Sequence, residues 1–149
     1  MNQIIQEGIK RNLISISEDE KTITYIHQNK SRNFINPEEK VQAEAFILLV
    51  IQYNYKPERI GIFVSVPMGS STKEADIIVY NDDERTEPYI LVECKKADIS
   101  DLEFELAIKQ AYSYAYAMAN NVKYVWVTCS NKNSYFQVDK TRESRIEET

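Results

Sequence analysis

The sequence lacks the segments that would place it in or across a membrane. No apolar run approaches the roughly 20 residues that a membrane-spanning helix needs. The first residues, MNQIIQEGIKRN, do not contain the basic and apolar segments of a secretory signal. No internal repeat and no low-complexity stretch is visible either. We therefore expect a cytoplasmic protein with no membrane partner, folded as one domain over its 149 residues.

Cysteine and histidine are scarce. Cys94 and Cys129 are far apart, each on a predicted strand, and their spacing is not that of a zinc site. Two buried thiols in a reduced cytosolic protein are the simplest interpretation. His27 is the single histidine, and nothing near it in the sequence favours a catalytic triad.

Basic residues do not outnumber acidic residues in this sequence. The chain has 18 Lys and Arg against 23 Asp and Glu, a net charge of -5. Free-standing nucleic-acid binders are usually basic, because neutralising phosphates supplies most of their nonspecific affinity. If this protein acts on DNA, its basic surface is local, or other domains or subunits hold the DNA.

The residues that are present predict a folded α/β domain. A hydrophobic content of 43% and ten tyrosines suffice for a sizeable core. We treat 1–35 as an N-terminal extension, 36–138 as the core and 139–149 as a charged tail or linker without structure. Periodicity and caps predict three helices: over 1–11, from Asn36 and Pro37 to before Pro57, and over 101–120. A hairpin of 12–17 and 22–27 is predicted near the N-terminus, followed by a loop at 28–33. Further strands are predicted over 60–67 (ended by Pro67), 76–80, 89–95, 123–130 and 134–139, with a turn over 68–75. The strand–helix–strand unit at 89–128 predicts a parallel crossover, and so a mixed central sheet covered by helices.

The stretch ILVECKK, residues 90–96, combines a buried strand with charged residues. Alternation puts Leu91, Glu93 and Lys95 on one face, and leaves the opposite face wholly apolar. A buried charge without a partner is costly, so these groups should meet solvent, each other or a metal. Asp76 begins the preceding predicted strand. A hairpin centred between residues 84 and 85 would place Asp76 opposite Glu93.

Two carboxylates and a lysine at one sheet edge indicate a definite chemistry. Oxygen ligands of this kind suit Mg²⁺, which stabilises charge on a phosphodiester and activates water. The ammonium of Lys95 can position that water. The alternative is structural: a turn-closing Asp76 and an exposed Glu93–Lys95 ion pair, which would contribute only about 0–1 kcal/mol.

The order of these residues resembles a known nuclease superfamily. Asp76 followed by Glu93-Cys94-Lys95 is similar to the D…(D/E)xK core of PD-(D/E)xK nucleases, with Ala75 at the usual proline. Five segments resemble the N-terminal nuclease domain of type I restriction enzyme R subunits: NPEEKVQ (36–42), KEADIIVY (73–80), LVECKKADI (91–99), KQAYSYA (109–115) and YVWVTCS (124–130). Three departures occur, at Gln42 (arginine in that family), at Lys96-Ala97 (Ala-Pro) and at Thr128-Cys129-Ser130 (Thr-Asn-Gly).

The resemblance implies a restriction-endonuclease-like fold and a Mg²⁺-dependent endonuclease acting on DNA, with Mn²⁺ as a substitute metal. Asp76, Glu93 and the backbone carbonyl of Cys94 would hold the metal, and Lys95 would orient the water. Gln110 and Tyr114, at the spacing of the family's QxxxY motif, would support the site or the DNA; the alternative is an ordinary amphipathic helix. Further candidates are Glu38 for the metal and Lys73 and Lys96 for DNA phosphates, although Glu38 also suits a helix N-terminus and both lysines suit a solvated surface.

The resemblance also implies partners. Type I R subunits carry motor domains after this nuclease domain and work with modification and specificity subunits. These 149 residues contain no GxxxxGK[ST] motif, so ATP would act only through motor domains of a longer chain. Two alternatives stay open: a free-standing repair or phage-defence nuclease with the same core, and a catalytically silent nuclease-like binding domain.

Overall fold

The computed structural model describes residues 2–118 and 122–138, and the backbone of 146–148. In these described residues, three α-helices and a short 3-10 turn, Pro57–Arg59, join nine strands. The helices are α1 (Gln3–Lys10), α2 (Pro37–Ile51) and α3 (Asp101–Ala117). The strands are β1 (Ile14–Ile16), β2 (Thr22–Tyr25), β3 (Lys30–Asn33), β4 (Ile60–Met68), β5 (Ser71–Tyr80), β6 (Pro88–Cys94), β7 (Tyr124–Thr128), β8 (Asn133–Gln137) and β9 (Ile146–Glu148). Within the described ranges, no helix is long and apolar enough to cross a membrane.

The strands form two sheets. β1, β2 and β3 make a small antiparallel sheet, and β4 to β9 follow one another in a six-stranded sheet. Only β6 and β7 pair in parallel within the described part of this large sheet, through the crossover helix α3, and the other neighbours are antiparallel. The predicted mixed α/β fold with an N-terminal hairpin is therefore confirmed.

The small sheet has one strand more than predicted. Residues 28–33 were expected to form a loop, but Lys30–Asn33 form β3 and pair with β2. The stretch KSRN is polar throughout, so it gives no apolar alternation from which a strand could be predicted. Its pairing depends on the backbone ladder and on a hydrogen bond of 2.8 Å between the hydroxyls of Thr24 and Ser31.

The hairpin of β4 and β5 is longer than predicted. The turn expected over 68–75 is reduced to Gly69 and Ser70, where Gly69 takes the left-handed φ of +64°. Pro67 does not end β4, because β4 is an edge strand and proline is tolerated there. Asp76 consequently lies in the middle of β5 and not at its start.

Capping residues set where the two long helices begin. The side-chain oxygen of Asn36 accepts a hydrogen bond from the Glu38 N–H, with Pro37 in the first turn of α2, as predicted. Ser100 and Glu103 form a capping box at the start of α3. The predicted end of α3 at residue 120 is wrong, because the helix stops at Ala117; residues 119–120 lie outside the described part.

The tail prediction is wrong in one stretch. The backbone of 146–148 forms β9 and pairs antiparallel with β8, although the whole segment 139–149 was expected to lack structure. Residues 139–145 and 149 lie outside the described part of the chain.

Two hydrophobic clusters cover the faces of the large sheet. One contains α1, α2 and the small sheet, with Tyr25 and Phe46 in edge-to-face contact at 5.4 Å. The other contains α3. Val92 and Cys94 pack into the first cluster and Leu91 into the second, which confirms the predicted alternation along β6. Both cysteines are buried and unbridged, as expected.

Candidate functional site

The pairing of β5 with β6 brings Asp76 and Glu93 together. Ile77 pairs with Val92, and one further step of this register places Asp76 opposite Glu93, as the sequence predicted. The backbone N–H of Asp76 donates to Glu93 Oε1 at 3.3 Å, and the N–H of Cys94 donates to Asp76 Oδ2 at 2.8 Å. Side-chain oxygens thus replace backbone carbonyls in the ladder at this point. Both carboxylates are held in fixed positions as a result.

The backbone opposite Asp76 is distorted. Phe63 of β4 has a φ of +53°, and the ladder between β4 and β5 omits its pairing with Asp76. A left-handed φ costs a side-chain-bearing residue roughly 1–2 kcal/mol, so surrounding contacts must hold it. Lys30 Nζ donates to the carbonyls of Ile62 and Phe63, at 2.7 and 3.2 Å. The guanidinium of Arg32 lies 3.7 Å from the centre of the Phe63 ring.

Burial and like charge raise the pKa of both carboxyls. Glu93 is only 4% exposed, and burial followed by the charge of Asp76 raises its pKa well above the usual range. Burial raises the pKa of Asp76 to about 6; the hydrogen bond from Cys94 opposes this shift, and the charge of Glu38 adds to it. Lys95 lowers the pKa of both carboxyls, but it does not offset the burial. The pair therefore favours a bound proton or a cation near neutral pH.

Helix α2 supplies two further carboxylates. Glu38 is half-buried and lines the cleft described below. Glu39, which the sequence prediction missed, is buried, and its Oε1 accepts a hydrogen bond of 3.5 Å from the Tyr25 hydroxyl. Burial and then the charge of Asp76 raise the pKa of Glu39 to about 7. The sequence could have indicated this burial, because Glu39 lies at helical spacing from Gln42 and Phe46, which are both buried.

Gln42 also reaches the site. Its Nε2 donates to the backbone carbonyl of Asp76 at 3.1 Å. Glutamine in place of arginine at this position therefore still provides a hydrogen-bond donor to the strand that carries Asp76.

An open cleft of about 420 Å³ lies beside the carboxylate pair. Its lining includes four of the predicted residues: Glu38, Lys95, Lys96 and Gln110. Asp76 and Glu93 are not part of this lining, but the charges of Glu38 and Lys95 act on both. Lys73 is exposed on β5, outside the lining and three residues before Asp76.

The pair Gln110 and Tyr114 faces the site from α3. Gln110 Nε2 donates to the Tyr114 hydroxyl at 2.8 Å. The side chain of Tyr114 is buried, and burial followed by the charge of Glu93 raises its pKa. The charge of Asp76 also raises this pKa, so the tyrosine interacts electrostatically with both central carboxylates.

The donor set suits a hard divalent cation that keeps part of its hydration shell. Among the described residues, no three His, Cys, Asp or Glu side chains are grouped so as to hold a metal ion. Asp76 and Glu93 each retain one carboxylate oxygen besides the one hydrogen-bonded to backbone. Mg²⁺ typically uses one or two carboxylates and keeps several waters, so these two residues and the Cys94 carbonyl fit its requirements.

Comparison with protein families identifies the family of the chain. A family model described as the type I restriction enzyme R protein N terminus matches residues 37–148, which is more than half of the chain. The matched span covers α2, α3, β4 to β9 and every candidate site residue. No curated protein matches the chain.

Proposed function

The chain belongs to the type I restriction enzyme R protein N-terminal family, and we propose that it is a Mg²⁺-dependent endonuclease domain that hydrolyses DNA phosphodiester bonds. The observation that carries this proposal is the juxtaposition of Asp76 and Glu93, fixed through backbone N–H groups. Lys95 lies in the adjacent open cleft.

The metal site would use Asp76, Glu93 and the backbone carbonyl of Cys94, with Mn²⁺ able to replace Mg²⁺. A bound divalent cation supplies Lewis-acid stabilisation of negative charge at the phosphate and lowers the pKa of water. The raised pKa values of the two carboxyls support this assignment, because a cation relieves the repulsion that burial makes costly.

The remaining residues bind and orient. Lys95, half-buried in the cleft, would position the attacking water and stabilise the phosphate charge that develops. Tyr114, held by Gln110, would support the site from α3. Glu38 would act from the α2 side of the cleft, and Lys73 and Lys96 would contact the DNA backbone.

The acidity of the chain agrees with DNA binding by other domains or subunits. A net charge of -5 gives little nonspecific attraction to DNA. We therefore assign DNA capture to motor domains of a longer chain and to modification and specificity subunits of a restriction complex. ATP would act through those motor domains.

The test is cleavage of a plasmid, in Mg²⁺ and ATP, by a restriction complex reconstituted with a full-length R subunit that contains this domain. Lys95→Met should abolish cleavage, because it removes the ammonium and leaves the carboxylates in place. Lys109→Met, which changes an exposed lysine on α3, is the matched control and should cleave like the wild type. Equal cleavage by both variants would contradict the proposed role of Lys95.

Metal binding separates the nuclease from a silent domain of the same fold. Mg²⁺ or Mn²⁺ titrated into the chain should give saturable heat, and Asp76→Ala should lose it. Heat unchanged by Asp76→Ala would place the metal elsewhere. A complex that neither binds metal at this site nor cleaves DNA would favour the silent binding domain.

A further inference from the structure

A second cavity, of about 260 Å³, lies toward the start of β6, whereas Glu93 lies near the end of that strand. It is lined by the first residues of β6 and β7, by part of β8 and by the chain that follows α2. Seven of its ten lining residues are aromatic, and six of these carry a hydroxyl group or an indole N–H: Tyr53, Tyr55, Tyr89, Tyr124, Trp126 and Tyr135. We refer to it as the aromatic pocket.

Ring contacts fix the walls of the aromatic pocket in advance. The ring planes of Trp126 and Tyr135 are 12° apart with centroids at 5.9 Å, and Tyr53 meets the indole edge-on at 6.3 Å. Trp126 Nε1 donates to Asn133 Oδ1 at 2.9 Å, which holds the indole orientation. On a further wall, Tyr89 and Tyr124 meet edge-on at 5.4 Å. A ligand would therefore find oriented aromatic faces without rearrangement of the walls.

Core packing accounts for Trp126 and Phe136, which are buried, but not for Tyr53 and Tyr135. Tyr53 is 44% exposed and Tyr135 is 42% exposed, although each contacts Trp126. Rings whose only role was to fill the core would be covered, as Tyr25 and Phe46 are in this protein.

The lining chemistry selects the kind of ligand. The described residues that line the aromatic pocket include no charged side chain, so a charged group placed there would lose water without gaining a partner. Pockets for drug-sized ligands span roughly 300–1,000 Å³, so this smaller cavity suits a single ring system. Aromatic faces stack on flat heterocycles, and phenol hydroxyls can hydrogen-bond at the ring edge.

We propose that the aromatic pocket binds a nucleobase, supplied either by a free nucleoside or by an unpaired base of a DNA strand. The site is separate from the carboxylate pair and does not depend on the proposed hydrolysis.

The single tryptophan of the chain makes the test direct. Trp126 is the only source of indole fluorescence, so adenosine or thymidine should quench it in a saturable way. Stacking contributes roughly 1–3 kcal/mol per base, so Tyr53→Ala should weaken binding by about fivefold to a hundredfold. Saturation-transfer NMR on the nucleoside provides a second readout that does not depend on the indole.

Tyr116→Ala is the matched control. Tyr116 is 45% exposed on α3 and stacks on Tyr112, outside the aromatic pocket, so its loss should leave binding unchanged. Because Tyr53 is itself exposed, its substitution should retain the fold, which circular dichroism would check. Absence of saturable binding by both readouts, or equal weakening by Tyr53→Ala and Tyr116→Ala, would overturn the proposal.

Oligonucleotides distinguish the two sources of the base. Quenching by adenosine and by a single-stranded oligodeoxythymidylate would show that either source is accepted. Quenching by the oligonucleotide but not by nucleosides would assign the pocket to a base on a DNA strand. If nucleosides did not quench and an abasic oligonucleotide quenched as strongly as the intact strand, the contacts would be to the DNA backbone. That result would refute base binding.

Discussion

Neutralising Asp76 should stabilise the metal-free protein while it destroys the proposed metal site. Asp76→Asn removes the charge but retains a side-chain oxygen that can accept the hydrogen bond from the Cys94 N–H. The carboxyl has a pKa raised to about 6 from an ordinary value of 3.8. A shift of about two pH units corresponds to about 3 kcal/mol, which we take as the upper limit of the gain.

The direction of the pH dependence follows from the state, folded or unfolded, in which Asp76 binds its proton more tightly. Because the folded-state pKa is the higher one, the stabilising contribution of protonated Asp76 is fully present below about pH 4. It is lost as pH rises from about 4 to about 6, where the unfolded chain releases its proton first. The wild-type free energy of unfolding should therefore fall over this window in EDTA. The free energy of unfolding of the Asp76→Asn variant should fall less. The wild-type and variant stability curves should therefore separate progressively with rising pH and stay apart at pH 8.

Urea denaturation at pH 4 and pH 8, with EDTA and then with saturating Mg²⁺, measures these effects. Mg²⁺ at a hundredfold excess over its dissociation constant should stabilise the wild type by about 2.7 kcal/mol and leave the Asp76→Asn variant unchanged. Asp83→Asn is the control, because its exposed carboxyl pairs with Arg59 and has a lowered pKa, so its loss should not stabilise. If Asp76→Asn proved less stable than the wild type at pH 8 in EDTA, the reasoning would be refuted.

Three other substitutions probe the surroundings of the pair. Glu39→Gln should raise the free energy of unfolding at pH 8 but not at pH 4, since the pKa of Glu39 is raised to about 7; urea denaturation in EDTA checks this. Phe46→Ala should cost about 3–5 kcal/mol, because the ring is fully buried against Tyr25; thermal denaturation checks this. Tyr114→Phe removes the hydroxyl that Gln110 contacts, and should lower plasmid cleavage by the reconstituted complex with little loss of stability.

The register of β5 and β6 could be predicted because it depends on local information. Two apolar strands joined by a polar turn admit few antiparallel pairings, because the length of the turn limits how far one strand can slip against the other. The pairing of Ile77 with Val92 agrees with the prediction to the residue. The error at the other end of β5, where 71–75 belongs to the strand, arose because polar residues alone do not distinguish a turn from an exposed hairpin arm.

The position of Glu39 could not be predicted with the same certainty. Acidic residues at 38 and 39 both suit a helix N-terminus, and helical spacing links Glu38 to Val41 and Ala45 as well as it links Glu39 to Gln42 and Phe46. The choice depends on Tyr25, whose hydroxyl contacts Glu39 from the small sheet. That contact joins residues from two separate elements, and no local pattern indicates it.

The N-terminal sheet contributes to the site although the matched family span begins only at residue 37. Lys30 and Arg32 of β3 contact Phe63 at the distorted position opposite Asp76. The charge of Arg32 also lowers the pKa of Glu39, against the effect of burial. Without β3, the carbonyls of Ile62 and Phe63 would lose their ammonium partner, and the left-handed backbone at Phe63 would lose the contacts that offset its cost. We infer that β3, with β1 and β2 paired behind it, supports the geometry of β5 around Asp76.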